Sequence, residues 1–319
     1  MTEVQIVLEA FLQSLAAGLL VGAIYGLMCV GLAMIFGIMR VINFAQGDFM
    51  MMGMYVSLFF FAYFAQVAFG GYVGPYVSVL LSAPVMFAAG YLVHLFLISR
   101  VTGNRALKMD GEGHYAQLIL TLGISLILQN GAMMLLGPHL VSIATPLSKS
   151  AWIIGPLWGD WVEIFVNRGR GVAAVISVLV IIALTLLINR SRIGKSLRAA
   201  ADNPEASTYM GIDVTRAHRF AFALGTAVTA LAGGLLATNY PFHPFVGLEF
   251  VIIMYAGVVL GGVGSIIGAF WGGMVIGLVQ QLSTMVLPFQ LQNSAIFVVF
   301  LLVVILRPQG LFGRVSERT

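Results

Sequence analysis

The chain has 319 residues, of which 60% are hydrophobic and only 9% charged, against roughly 25% charged in soluble domains. That balance excludes a soluble globular domain, and charge-free runs of about 18 to 25 residues are long enough to cross a bilayer as helices. The net charge of +4 does not point to nucleic acid, because the basic residues gather at the ends of apolar runs, as in cytoplasmic loops.

The N-terminus "MTEVQIVLEAFLQS" carries Glu3 and Glu9 but no Lys or Arg. It lacks the positive region of a cleaved signal peptide, so the first apolar run is expected to be a retained helix. Apolar segments follow at 11–39, 49–69, 76–98, 116–137, 171–188, 220–239, 251–282 and 291–306. They do not alternate as the strands of a membrane barrel would. The sole cysteine, Cys29, offers neither a disulfide framework nor a metal cluster.

The connections set the topology. Arg100, Arg105 and Lys108 lie in 99–114, Arg190, Arg192, Lys195, Arg198, Arg216 and Arg219 in 189–219, and Arg307, Arg314 and Arg318 after Leu306. The positive-inside rule puts all three on the cytoplasmic side. Connection 138–170, with Pro138, Pro146, Pro156, three Trp and mixed charge, is then an external loop despite Arg168 and Arg170 beside the next helix. Parity requires an odd number of crossings after 240–250, so 251–282, too long for one span, is expected to break at "GGVGS", Gly261 to Ser265. The run 11–39 is also over-long and leads into "RVINFAQGDFMMMG", Arg40 to Gly53, where polar groups crowd between apolar runs. Two such breaks, one in each half, resemble the discontinuous helices of transporters. Asp48 and Ser265 are candidate caps of the helices that follow. For Asp48 the cap or hinge is the leading reading and direct solute contact the second.

The expected architecture is an all-α polytopic membrane protein. It has about 8–9 transmembrane helices, with discontinuous segments near 40–48 and 261–265. Small residues at four-residue spacing, Gly18–Gly22–Gly26, Gly264–Gly268–Gly272 and Gly273–Gly277, are expected to let helices approach closely. "RIGKS", Arg192 to Ser196, lacks the earlier glycine of a phosphate-binding loop, since that position is Asn189. Nucleotide binding by this chain is therefore rejected. In "ADNPEASTYMGIDV", Asp202 or Asn203 can cap a short helix that Pro204 starts and Gly211 ends. From spacing alone it is either a solvated loop helix or a docking element. The five histidines show no metal-ligand spacing. Charged residues at membrane depth reduce to Arg40, Asp48 and Glu249, too few for the buried chains of an ion-driven pump.

Several strings resemble one family. "GLLVGAIYGLMCVGLAMIFGIMRVINFAQGDFMMMGMY" is similar to the N-terminal signature of the inner-membrane permeases of branched-chain amino acid ABC importers. "GVVLGGVGSIIGAFWGGMVIGL" and "LLVVILRPQGLFG" resemble that family's C-terminal block. "NPEASTYMGI" resembles the Glu-Ala-Ala-x-x-x-Gly loop by which such permeases contact their ATPases: Glu205, Ala206 and Gly211 match, and Ser207 replaces the second Ala. The family often has His where this chain has Gln46. That departure and the aromatic-rich 138–170 loop leave the solute open among leucine-type amino acids, amides, urea and aromatic acids.

The resemblance implies a single transmembrane permease domain, 1–319, in a bacterial inner membrane. It pairs with a second homologous permease, two cytoplasmic ABC ATPases and an external solute-binding protein. The chain itself needs no cofactor and is not an enzyme, because ATP and magnesium belong to the ATPases. Asn203, Pro204, Glu205, Ala206, Ser207 and Gly211 are the expected ATPase-coupling residues. Asn43, Gln46, Gly47, Asp48, Gly261, Gly262, Gly264 and Ser265 are expected to border the translocation path or act as its hinges. The rivals are a stand-alone channel or facilitator for a small neutral solute and an ion-coupled carrier.

Overall fold

The computed structural model describes residues 3–102, 112–157, 162–307 and 309–313. Arg105, Lys108, Arg314, Arg318, Trp158 and Trp161, used above to assign sides, lie outside the described residues. The first apolar run is one uninterrupted helix, α1 (Glu3–Met39). At roughly 1.5 Å per residue it measures about 55 Å, well beyond the hydrocarbon thickness. The surplus docks on the 138–170 connection, where Gln13 accepts from the Phe165 N–H at 2.9 Å and donates to its carbonyl at 2.5 Å.

After a break at 40–45 come α2 (Gln46–Phe60), α3 (Gln66–Val93) and α4 (Ser99–Thr102), joined through π-helical turns at 61–65 and 94–98. The chain turns back at Gly70, whose φ of 70° and ψ of 179° suit a residue without Cβ. Beyond it, Gly74 sits on the Ala65 carbonyl, so that an added Cβ would lie 2.7 Å from that oxygen.

The next helix is α5 (Glu112–Leu136). Within the expected external loop the strands β1 (Ala151–Leu157) and β2 (Val162–Asn167) pair antiparallel, with Ala151 opposite Asn167 and Ile154 opposite Ile164. Gly155 and Pro156 interrupt the first strand's alternation, which hid the hairpin in the sequence. Asn167 caps α6 (Arg168–Arg190) by accepting from the Arg170 N–H at 3.0 Å. Arg168 and Arg170 therefore belong to the helix's first turn.

Two short helices, α7 (Arg192–Asp202) and α8 (Pro204–Tyr209), lead into α9 (Val214–Ala237). The over-long run near the C-terminus is divided, as parity required, into α10 (Val246–Gly261) and α11 (Ile266–Ser283), followed by α12 (Gln292–Leu306). Six runs among the described residues are long and apolar enough to cross a membrane, one of them the Gln46–Val101 run that turns at Gly70, and α10 and α12 are shorter apolar helices. The protein is a multi-pass α-helical membrane protein with one extramembrane hairpin.

Helices α1 and α9 form the centre. Leu27, Met28 and Leu32 of α1 and Leu235 and Leu236 of α9 are almost wholly buried. Glycines bring the surrounding helices close. A Cβ on Gly273 of α11 would lie 2.5 Å from the Gly26 nitrogen, and one on Gly277 2.3 Å from the Gly22 Cα. A neighbouring face of α11 meets α10, where a Cβ on Gly272 would lie 2.0 Å from the Gly257 oxygen. The glycine spacing thus marks two packed faces of one helix.

Candidate functional site

The first break is built around two amides. Arg40 leaves α1 with φ of 54°, a left-handed conformation costly for a residue with a side chain. Its guanidinium donates to the Ala201 carbonyl at 3.4 Å, which ties the break to α7. Asn43 Oδ1 then accepts from the Ala45 N–H at 3.1 Å, while Asn43 Nδ2 donates to Gln46 Oε1 at 3.0 Å. Gln46 Nε2 donates to Thr229 Oγ1 at 2.6 Å and to the Gly225 carbonyl at 3.3 Å. Asn43 and Gln46 are fully buried, so every bond they make substitutes for water that is absent.

The depth of this network can be read from its neighbours. Gly225 and Thr229 pack on Gly31, within 3 Å of where its Cβ would be. Gly31 precedes the end of α1 by eight residues, or about 12 Å. The chain therefore turns back alongside α1 after Arg40 before α2 begins. Gly47 starts α2 against α10, where an added Cβ would lie 2.0 Å from the Gly247 oxygen.

Asp48 is not the expected cap. Ala45 occupies the N-cap position of α2 with no side-chain capping bond, and Asp48 lies within the helix's first turn. There it accepts from Gln129 Nε2 at 2.9 Å and hydrogen-bonds Ser125. The correction has a local reason: Asn43 already accepts from Ala45 ahead of the helix, which frees Asp48 to face α5.

That contact exposes a feature the sequence reading missed. Gln117, Thr121, Ser125 and Gln129 repeat every fourth residue along α5, and all are at most 5% exposed. Thr121 Oγ1 accepts from the Phe44 N–H at 3.4 Å, and Gln129 also donates to Ser125 at 3.0 Å. The outward face of α5 carries exposed Ile119, Leu122, Leu126 and Ile127. The helix is thus mainly polar inward and apolar outward, which was visible as four polar residues at helical spacing in a mostly apolar run.

The second break behaves as the sequence implied. Gly262 and Gly264 have φ of 101° and 88°, and Ser265 caps α11 by accepting from the Gly268 N–H at 3.0 Å. Gly261 abuts Gly268, where its Cβ would lie 2.1 Å from the carbonyl oxygen. The chain beyond α12 locks this turn. Leu311 N–H donates to the Leu260 carbonyl at 2.8 Å and Phe312 N–H to that of Gly261 at 3.2 Å, supplying partners for carbonyls left open at the end of α10.

A cleft of about 790 Å³ joins both breaks. Gly37 and Arg40 line it from α1 and the first break, Gly264 and Ser265 from the second, and Arg198 and Asp202 from α7. The path and hinge candidates are thereby split. Gly264 and Ser265 reach the cleft, whereas Asn43, Gln46 and Asp48 lie buried against α5 and α9.

From α7 the chain enters α8. Asn203 is its N-cap and accepts from the Ala206 N–H at 3.0 Å, so of the two candidate caps it is the one used. Pro204 occupies the first turn beside Glu205, and Gly211 closes the helix with φ of 79°. Ser207 is buried and its carbonyl accepts from the Ile212 N–H at 3.0 Å. Tyr209 and Met210 are 90% and 82% exposed.

Residues 14–306 match the family described as "Branched-chain amino acid transport system / permease component". The chain is 31% identical to the high-affinity branched-chain amino acid transport system permease protein BraD of Pseudomonas aeruginosa, over 95% of this chain and 96% of that one. It is 29% identical to the permease protein LivH of the corresponding Escherichia coli system, with the same coverage of each chain. A probable branched-chain amino acid transport permease protein of Methanocaldococcus jannaschii is 30% identical over 81% of this chain and 76% of its own. No solved structure matches.

Proposed function

This chain belongs to the family of permease components of branched-chain amino acid transport systems, and from that premise we propose that it is the membrane-spanning subunit of an ATP-driven importer. It forms the solute path with a second, homologous permease. Two cytoplasmic ATPases bind and hydrolyse ATP with magnesium, and an external binding protein delivers the solute. The chain performs no covalent step. It resides in the inner, or cell, membrane.

The observation that carries this reading is α8. A capped helix held by Asn203 and Ser207 leaves Tyr209 and Met210 almost wholly in solvent. Large apolar side chains presented on a rigid loop helix are costly unless a partner covers them. Glu205, in the first turn of α8, supplies a charge at the same docking face. Motion imposed on α8 passes to α7, whose Arg198 and Asp202 line the cleft and whose Ala201 holds Arg40.

This chain's contribution to the path is the seam between α5 and the first break. Thr121 faces Phe44 there, Ser125 and Gln129 face Asp48, and Gln117 is buried one turn further along the same stripe. A polar seam in an apolar helix pair suits the closed state of a route for a polar solute. The route opens when α5 separates from α2.

The coupling claim is tested in a complex reconstituted into liposomes. Glu205→Lys is expected to leave the complex assembled but reduce uptake at least tenfold per ATP hydrolysed. Normal coupled uptake would sink the docking assignment. Uptake by this chain alone, without ATPases or ATP, would favour a stand-alone facilitator.

A further inference from the structure

The basic residues at the start of α9 do more than mark a side of the membrane. Arg219 is half-buried against α3. Its guanidinium stands over the Tyr91 ring, 5.3 Å from the centroid, and donates to the Tyr91 hydroxyl at 3.2 Å. Phe220 meets the same ring edge to face, with centroids 5.9 Å apart, and Arg216 lies 5.9 Å from the Phe220 centroid. An arginine that only sets topology needs solvent and no such cradle.

The cluster has donors to spare. Arg219 Nε and His218 Nε2 are buried without a hydrogen-bond partner among the described residues. The same holds for both ring nitrogens of His94, which is 2% exposed in the turn that follows α3. His94 packs on Phe222, one turn along α9 from His218, and is close enough to His218 and Arg219 to feel their charge. Neither arginine is in a salt bridge among the described residues. Asp213, the acid nearest in sequence, caps α9 by accepting from the Arg216 N–H at 2.9 Å. Buried donors without an acceptor are costly, and guanidinium groups are matched by the several oxygens of a phosphate.

An apolar wall borders these donors. On the adjoining stripe of α3, Val85 and Leu92 are exposed, and on a membrane helix such a face meets lipid. The basic connections after α3 and before α9 put this end of the seam in the cytoplasmic leaflet. A soluble anion would use the donors alone, whereas a phospholipid uses the donors and the wall.

We infer that the cytoplasmic end of the α3–α9 seam is a binding site for an anionic phospholipid. Its phosphate lies on Arg216, His218 and Arg219, and its acyl chains run along Leu92 and Val85. A bound headgroup ties α3 to the first two turns of α9, directly after α8. The site does not depend on the importer reading, and its test needs neither ATP nor a partner protein.

The full chain is purified in neutral detergent and titrated with phosphatidylglycerol or with phosphatidylcholine of the same acyl chains. Native mass spectrometry counts the lipid retained. Phosphatidylglycerol is expected to fill one site at least about tenfold more tightly than phosphatidylcholine, the scale of two arginines near an anionic headgroup. Arg216→Gln/Arg219→Gln is expected to abolish that preference. Arg192→Gln/Lys195→Gln, which removes two exposed cations from α7, is expected to keep it. Where circular dichroism shows the first double variant unfolded, Arg216→Gln alone, at an exposed position, is expected to weaken phosphatidylglycerol binding about fivefold. Equal retention of the two lipids, or an equal loss in the α7 variant, would overturn the site. Inorganic phosphate that displaces phosphatidylglycerol further than chloride does at the same ionic strength would make this a free-anion site and overturn the lipid assignment.

Discussion

The hydrogen bonds of Gln46 give a quantitative test of the first break. Gln46→Leu removes the 2.6 Å bond to Thr229, the 3.3 Å bond to Gly225 and the acceptor of Asn43 Nδ2. Interhelical hydrogen bonds in membranes average about 0.6 kcal/mol and reach about 1.7 kcal/mol. The short Thr229 bond, with both partners fully buried, is placed between these values at about 1 kcal/mol, and the long Gly225 bond adds little. Leaving Asn43 Nδ2 buried without a partner adds about 1–3 kcal/mol. Gln46→Leu should therefore destabilise the protein by about 2–4 kcal/mol. Thr229→Val removes only its own share and leaves Gln46 bonded to Gly225, so it should cost about 1 kcal/mol. The double variant should fall short of the sum by about 1 kcal/mol, because the shared bond is lost only once. Equilibrium unfolding in mixed micelles by titration with dodecyl sulfate reads all three values. Additivity within about 0.3 kcal/mol, the usual tolerance for independent sites, would refute a direct Gln46–Thr229 bond. A cost below about 1 kcal/mol for Gln46→Leu would refute the network as the element that holds the break.

Gly273→Leu should abolish folding, since its Cβ would meet the Gly26 and Tyr25 backbone at 2.5 to 2.6 Å. Gly131→Ala, which meets nothing within 4 Å, should be neutral or gain up to about 1 kcal/mol of helix stability; size-exclusion profiles and thermal melts compare the two. Cysteines placed at Phe44 and Thr121 and cross-linked should stop ATP-driven uptake by tying α5 to the first break. Cysteines at Leu260 and Leu311, where the backbones already bond at 2.8 Å, should leave uptake intact when cross-linked. The reverse pattern would place the moving seam at the second break.

Much of the site was legible because glycine and charge act locally. Gly262 and Gly264 were readable as a helix break, since three glycines in four residues weaken any helix, and parity required one there. Asn203 and Pro204 announced α8 for similar reasons. Asp48 was misassigned because a carboxylate immediately before an apolar run fits a cap as well as a first-turn residue. Only the tertiary contact with Gln129 and Ser125 distinguishes them. The α5 stripe escaped notice for a different reason: a window average registers the helix as apolar, while its few polar residues carry the information through their spacing. The hairpin at 151–167 was hidden because its strands are short and interrupted, and their partner Gln13 lies 152 residues away in sequence.

The two breaks look alike in sequence but are not mechanically equivalent. The second is clamped from several sides. Gly261 abuts Gly268, Gly262 abuts Gly313, and Leu311 and Phe312 donate to the last carbonyls of α10. Moving α11 against α10 would separate backbone from backbone along Gly257 and Gly272 and leave buried carbonyls without donors, which lipid cannot replace. Helix α1 joins the same block through Gly22 and Gly26. At the first break Gly47 also abuts Gly247 backbone to backbone, but the segment before α2 and its side toward α5 are held by side chains: Asn43, Gln46, Thr229 and Gln129. Side-chain amides can exchange one partner for another, including water or a polar solute entering the seam, at far smaller cost than a backbone interface. Its neighbour α5 carries long exposed apolar side chains outward and only a narrow polar stripe inward. The strained Arg40, bonded to Ala201 at the end of α7, connects that adaptable seam to the loop that carries α8. On the coupling proposed above, a displacement of α8 reaches the first break through α7 and Arg40, and the glycine-packed block of α1, α2, α10 and α11 is the frame against which α5 moves.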